Sequence, residues 1–353
     1  MIELAAFITI FTLALGVTLL LMPVCDRLGQ RWGMVAKAGG RRTTEADYRR
    51  VSKLGGFGMA LGFVIAASAA QILPVPRLDP YEIVRFTGLI LGTLLLMFAG
   101  LIDDHYELKA LPQFIIQSLA AGIAISFQIF IEFFNNPLTG QQTDPFPFIV
   151  TVALSYFWLM LMMNTVNFID GLDGLAGGVA IIAGAVLLIN GVFRLGQISV
   201  SLLHVALIGS ALGFTLYNFY PARIFMGSGA VTLGFILGAL SIIGGAKMAT
   251  ILFVVGLPLL DTVWQALTRL LQGRSPFEGD RGHLHFRLLD MGFSQRQIVI
   301  GYYLFCALFG VLTLVVESRL FKLIALGAMC VLIALGFALV TRWRARRNHS
   351  AEA

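Results

Sequence analysis

Four stretches of this 353-residue chain carry side chains able to do chemistry. The densest is Asn164-Thr-Val-Asn167-Phe-Ile-Asp170-Gly171-Leu172-Asp173-Gly174-Leu-Ala-Gly177-Gly178. It sets two amides and two carboxylates among glycines, which let a backbone turn tightly and a ligand approach it closely. Asp170 and Asp173 are three apart, so one helical turn would put both on one face. That geometry suits a divalent cation or a hydroxyl-rich ligand; it also suits a plain Gly/Asp/Asn turn with aspartate capping the next helix. Upstream, Asp103 and Asp104 stand together at the end of an apolar run. Adjacent carboxylates there repel each other and the negative helix end, which a cation, a transferred proton or open solvent would have to offset. Downstream, Asp280-Arg281-Gly282-His283-Leu-His285 sets two histidines two apart beside arginines. No third Cys or His clusters with them, so an anion such as pyrophosphate suits them better than zinc. The fourth stretch, Phe225-Met-Gly227-Ser228-Gly229, reads either as interfacial aromatic belt or as a stacking platform over a glycine-lined cleft. Lys53 stands just ahead of Gly55-Gly56, apart from the other basic residues of its loop, which read as a solvated face.

The elements that must position these groups are apolar. Hydrophobic residues make up 58% of the chain and charged residues 12%, with a mean hydropathy of +0.86. Such a composition predicts an all-α polytopic integral membrane protein. About eleven transmembrane helices are expected, near 3–23, 55–74, 84–101, 112–133, 146–165, 175–193, 200–218, 229–244, 248–265, 298–317 and 321–341. With the N-terminus outside, the inward loops and tail hold 19 of the 25 Lys and Arg, so the C-terminus is expected in the cytoplasm. The net charge of +6 is then a topology signal and an affinity for anionic lipid, not a nucleic-acid footprint. Residues 1–341 read as a single membrane-embedded domain and 342–353 as a basic cytoplasmic tail. The first span lacks the basic leader of a signal peptide and is expected to stay as a helix. Cys25, Cys306 and Cys330 give neither a disulfide framework nor a metal spacing. Nested GxGxxG, Walker lysine, GxSxG and CxxC motifs are absent from the sequence, and no internal repeat is apparent.

All the acid and histidine clusters fall at inward span ends, which predicts one site at the cytoplasmic face. Acids, amides, a stacking aromatic, basic residues and glycine turns suit a nucleotide diphosphate with a divalent metal. A membrane-resident acceptor accounts for so many spans around so small a polar centre. A transporter would instead place functional charges near the bilayer midplane.

The sequence resembles the polyprenyl-phosphate N-acetylhexosamine-1-phosphate transferases (glycosyltransferase family 4). Asp103-Asp104, Asn164 to Ala176, Phe225-Met-Gly, Pro258-Leu-Leu-Asp261 and Asp280-Arg-Gly-His-Leu-His carry the likeness, which runs from Lys53 to about Gln297. It implies transfer of a sugar phosphate from a UDP-N-acetylhexosamine to undecaprenyl or another polyprenyl phosphate, with Mg²⁺ or Mn²⁺, releasing UMP. The singly spaced His-Leu-His is similar to the branch that uses UDP-N-acetylglucosamine. The implied setting is the inner (plasma) membrane, early in a cell-envelope glycan pathway such as lipopolysaccharide, with a homodimer left open. Carried over, Asp103 and Asp104 would deprotonate or position the lipid phosphate. Asn167 would be a metal ligand and Asp170 would lie close to metal and phosphates, as a catalytic group. Asn164, Gly171, Leu172 and Asp173 would hold the nucleotide, with Phe225 stacked on uracil. His283 and His285 would meet sugar or diphosphate, near Lys53 and Arg281. Three positions depart from the family pattern. Phe225-Met-Gly227-Ser228-Gly229-Ala230 stands where the family reads Phe-Met-Gly-Asp-Ser-Gly-Ser, as though its metal-binding Asp were deleted. Gln113 replaces a basic residue and Phe286 a histidine. The alternative these leave open is a catalytically impaired relative that still binds nucleotide-sugar or lipid phosphate.

Overall fold

The computed structural model describes residues 2–36, 50–134, 136, 139, 141–245, 248–274, 282–316 and 318–352; for 249, 319 and 339–352 only the backbone is described. Thirteen helices run through them in chain order. The first half holds α1 (Ile2–Arg31), α2 (Gly55–Ala70), α3 (Glu82–Tyr106), α4 (Ala110–Ser126), α5 (Phe148–Ile169), α6 (Leu175–Leu195) and α7 (Ile198–Asn218). The second holds α8 (Gly229–Ile243), α9 (Met248–Val254), α10 (Gly256–Leu271), α11 (Leu284–Asp290), α12 (Gln295–Val315) and α13 (Arg319–Glu352). Seven are long and apolar enough to cross a membrane, and α2, α4 and α8 are shorter apolar helices. The chain is therefore a multi-pass membrane protein.

Helices α7 and α8 form the centre, apolar and buried on nearly every face. Around them stand α1, α2, α3, α5 and α6. Lipid tails give helices no hydrophobic drive to associate, so close backbone approach through small residues holds them. A methyl on Gly56 of α2 would lie 2.6 Å from Gly229 Cα of α8, and one on Gly234 would lie 2.7 Å from Met163 Cα of α5. Trp158 of α5 adds a hydrogen bond to Ser241 Oγ of α8 at 2.9 Å.

One expected span is divided. The run 248–265 forms α9 and α10, meeting at Val255. Pro258 is the cause: it has no N–H to offer the Val254 carbonyl, and its ring would clash with it. Pro258 therefore sits in the first turn of a new helix, where a missing donor costs nothing. The last expected span and the expected tail form one helix, α13, continuous to Glu352.

Candidate active site

Helix α3 ends on Glu107, whose φ of 52° is left-handed, a conformation non-glycine residues adopt at a cost. That turn brings the Leu108 N–H to Asp103 Oδ1 at 2.8 Å. Gln113 Nε2 of α4 donates to the same oxygen at 2.9 Å. From across the bundle comes Ser228, the cap of α8. Its hydroxyl lies 2.6 Å from Asp103 Oδ2 and 3.0 Å from Asp104 Oδ1, and its N–H donates to Asp104 at 2.9 and 3.2 Å. The positive end of α8 thus faces the acid pair. Gly227 is required just before it: φ is +60°, and a methyl there would lie 2.6 Å from an Asp104 carboxylate oxygen and against the Lys53 carbonyl. Lys53 Nζ lies 3.7 Å from Glu107 Oε1. Gly55 and Gly56 donate their N–H groups to the Phe225 and Met226 carbonyls at 3.0 and 3.1 Å. The space beside Asp104 is only about 10 Å³, roughly one water.

The Asn/Asp/Gly stretch forms the turn between α5 and α6. Asp170 and Asp173 are each 3% exposed. Asp173 makes no cap for α6, which lacks a side-chain cap bond and starts after Gly174 at φ 84°. Instead Asp173 Oδ2 accepts the Ala222 N–H at 2.9 Å. Gly174 donates to Asn218 Oδ1 at 2.9 Å and accepts from the Tyr303 hydroxyl at 2.5 Å. Asn218 Nδ2 reaches the Ile224 carbonyl at 2.8 Å. The turn is therefore tied to the loop that carries Phe225, and through Ser52 and Gly55 to Lys53. Asn164 points to α4, donating to Gln117 Oε1 at 2.9 Å. Asn167 is half-buried and Leu172 is packed in the core. Phe225 is 3% exposed among Ala36, Val51 and Ala222, so stacking on a base would require that cover to move.

His283 Nδ1 lies 3.0 Å from Asp261 Oδ2 of α10, and the Leu284 N–H donates to Asp261 Oδ1 at 3.0 Å. The His283 ring stacks on Phe168 with centroids 5.2 Å apart and on His285 at 5.7 Å. His285 is fully buried, and neither ring nitrogen has a hydrogen-bond partner among the described residues. Burial pushes its pKa down to about 3, against the pull of Asp261 and with a small push from His283. A methyl on Gly171 would lie 2.6 Å from His285 Nε2 and 2.8 Å from the Phe286 ring, so the histidine pair packs on the Asn/Asp/Gly turn. Beside α10, a cavity of about 310 Å³ is lined by Trp264, Gln265 and three arginines, Arg269, Arg274 and Arg287. Gln265 Nε2 and Arg287 Nε both donate to the Gly282 carbonyl, at 2.6 and 2.5 Å. Arg281 and Asp280 lie outside the described residues.

Four stretches far apart in sequence thus meet at one end of the bundle. Ser228 and Asp261 join the site as residues that motif reading left without roles. Asp261 carried a usable signal, an acid inside an apolar helix; Ser228 carried none beyond the glycines around it. The two other departures have structural counterparts: neutral Gln113 still serves Asp103, and the Phe286 ring lies 4.2 Å from that of His285.

Comparison with known proteins gives the family. Residues 86–245 match the model of Glycosyl transferase family 4. A probable undecaprenyl-phosphate N-acetylglucosaminyl 1-phosphate transferase of Bacillus subtilis is 30% identical over 87% of this chain and 84% of its own length. A decaprenyl-phosphate N-acetylglucosaminephosphotransferase of Mycolicibacterium smegmatis is 31% identical over 78% of this chain and 74% of its own. A phospho-N-acetylmuramoyl-pentapeptide-transferase of Desulforamulus reducens is 28% identical over 87% and 95%. Likeness at 30% identity over most of both chains, together with the family-model match, places this chain in glycosyl transferase family 4.

Proposed function

We propose that the protein transfers N-acetylglucosamine 1-phosphate from a UDP-sugar to undecaprenyl phosphate at the cytoplasmic face of the inner membrane, releasing UMP. One observation carries the reading: the acid pair, the Asn/Asp/Gly turn and the His283–Asp261 pair meet at one end of an apolar bundle. The named activities of the relatives support it. A lipid phosphate oxygen attacks the β-phosphorus of the UDP-sugar, and the bond from that phosphorus to the UMP oxygen breaks. Asp103 and Asp104 serve the acceptor phosphate, with Lys53 near them. His283, fixed by Asp261, turns its other ring nitrogen to the donor. The arginine-lined cavity beside Gly282 offers charge to diphosphate.

Among the described residues no three Asp, Glu, His or Cys side chains are arranged around a metal position. Mg²⁺ is commonly held by one or two carboxylates, with waters and substrate phosphates completing an octahedron. Asp170 and Asn167 fit that mode as a carboxylate and an amide oxygen. Bound there, the cation would neutralise charge on the two phosphates as they approach. The missing Asp after Gly227 favours the second reading, a relative that binds these ligands and turns over slowly. Purified protein given UDP-N-acetylglucosamine, undecaprenyl phosphate and Mg²⁺ should release UMP. Binding of UDP-sugar without release would replace the first reading with the second.

A further inference from the structure

Ser228 Oγ touches both members of the acid pair, at 2.6 Å from Asp103 Oδ2 and 3.0 Å from Asp104 Oδ1. A serine hydroxyl has one proton to donate and two lone pairs. With both carboxyls ionised it could serve only one of them and would face the other lone pair to lone pair. The remaining partners decide which carboxyl is charged. Asp103 Oδ1 already accepts two N–H groups, from Leu108 and Gln113. A separation of 2.6 Å is that of a hydroxyl donating to a carboxylate, so the Ser228 proton points at Asp103. Asp104 Oδ1, at 3.0 Å, is then placed to donate to the free lone pair of Ser228 Oγ. The Ser228 N–H keeps an acceptor on Asp104 in either state.

We propose that Asp103 and Asp104 hold one proton between them at neutral pH, carried on Asp104 and relayed through the Ser228 hydroxyl, with Asp103 ionised. Among the described residues the charges around the pair are few. Lys53, ahead of α2, is the cation that acts on Asp104, and Glu107 beside Lys53 tempers it. Helix α4 presents neutral Gln113, and α8 presents Ser228 and Thr232. Ser228 is thus a positioning residue acting through the two acids.

The consequence for turnover rests on the transferase reading. Asp104, not Asp103, lines the small space at the glycine wall of α2 and α8. When a phosphate monoanion arrives, the Asp104 proton passes to Ser228 Oγ while the Ser228 proton passes to Asp103. One O–H bond breaks as another forms at each step, and the pair's net charge is unchanged. Asp104, now a carboxylate, takes the phosphate's proton and leaves a dianionic nucleophile. After product leaves, one proton goes to solvent and the other remains on Asp104, with Asp103 ionised again and the Ser228 hydroxyl proton back toward Asp103.

Infrared difference spectroscopy of the purified full chain tests the proton count without any turnover. At neutral pH the wild type should show a protonated-carboxyl C=O band that shifts in D₂O and is lost in Asp104→Asn or Asp103→Asn. Ser228→Ala removes the bridge that favours the singly protonated pair. Its upper apparent pKa should fall and its lower one rise, each by about one pH unit, the worth of one hydrogen bond. Ser228→Thr keeps the hydroxyl and should restore the wild-type titration. No such band at neutral pH in the wild type, or a Ser228→Ala titration identical to it, overturns the proposal. A band that behaves as expected in a protein releasing no UMP upholds the shared proton and removes only the transferase reading.

Discussion

At the scale of single residues, Asp261 sets what His283 can do. With Nδ1 held by the carboxylate at 3.0 Å, the ring orientation is fixed and Nε2 is left for a ligand. Asp261→Asn keeps the shape and loses the charge, so UMP release should fall by about 10–100-fold with unchanged expression and melting temperature. Gly171 is small because of what touches it, not because of its backbone: a methyl would meet His285 Nε2 and the Phe286 ring. Gly171→Ala should therefore displace His285 and cost activity, which the same assay reads against a Gly122→Ala control, where an added methyl meets nothing. His285 also makes the fold acid-sensitive. Its pKa falls from the ordinary 6.5 to about 3 on folding, so the unfolded chain binds the extra proton. Its contribution to stability is complete above pH 6.5 and drains as the pH falls toward 3, by about 1.4 kcal/mol per unit. His285→Leu should flatten that part of the melting-temperature curve, measured between pH 7 and 4. Sequence spacing showed two histidines two apart, and nothing in it separates the one that meets Asp261 from the one sealed against glycine. That distinction depends on which helix packs behind each ring.

At the scale of elements, hydropathy located the helices but not their breaks. The run 248–265 is apolar on average, and an averaging window passes over Pro258, whose missing N–H divides it into α9 and α10. The division matters to the site, because α10 carries Asp261 one turn after the restart. The Asn/Asp/Gly turn was legible as a joint between helices. Its cross-links to Ala222, Asn218 and Tyr303 were not, since they depend on α7 and α12 lying beside it. Helices α2 and α8 meet through glycines, with Gly56 and Gly229 in backbone contact. Gly56→Ala should cost about 1–3 kcal/mol by overpacking, seen as a lower melting temperature in detergent. An unaltered melting temperature would show that the contact is slack.

At the scale of the whole molecule, the basic residues predict which end of the bundle faces the cytoplasm. In a chain lacking Cys25, Cys306 and Cys330, Gln272→Cys should react with an impermeant thiol reagent only from the cytoplasmic side. Thr139→Cys should react only from the other. The end away from the site is fastened differently. Arg77 pairs with buried Glu82, which also accepts the Ser199 hydroxyl at 2.7 Å, and Arg85 pairs with Asp79 at 2.7 Å. The Glu82–Ser199 bond joins the start of α3 to the start of α7, and the arginine pairs tie the preceding loop to α3, leaving the other ends of those helices to carry chemistry. Ser228 stands at the tip of α8, whose residues are buried almost without exception from Gly229 to Ile243. A segment so enclosed opens only when the fold opens, so its amides should be among the last to exchange with deuterium. The serine that holds both acids is then mounted on the stillest part of the protein, and in the proposed reaction the lipid must come to it.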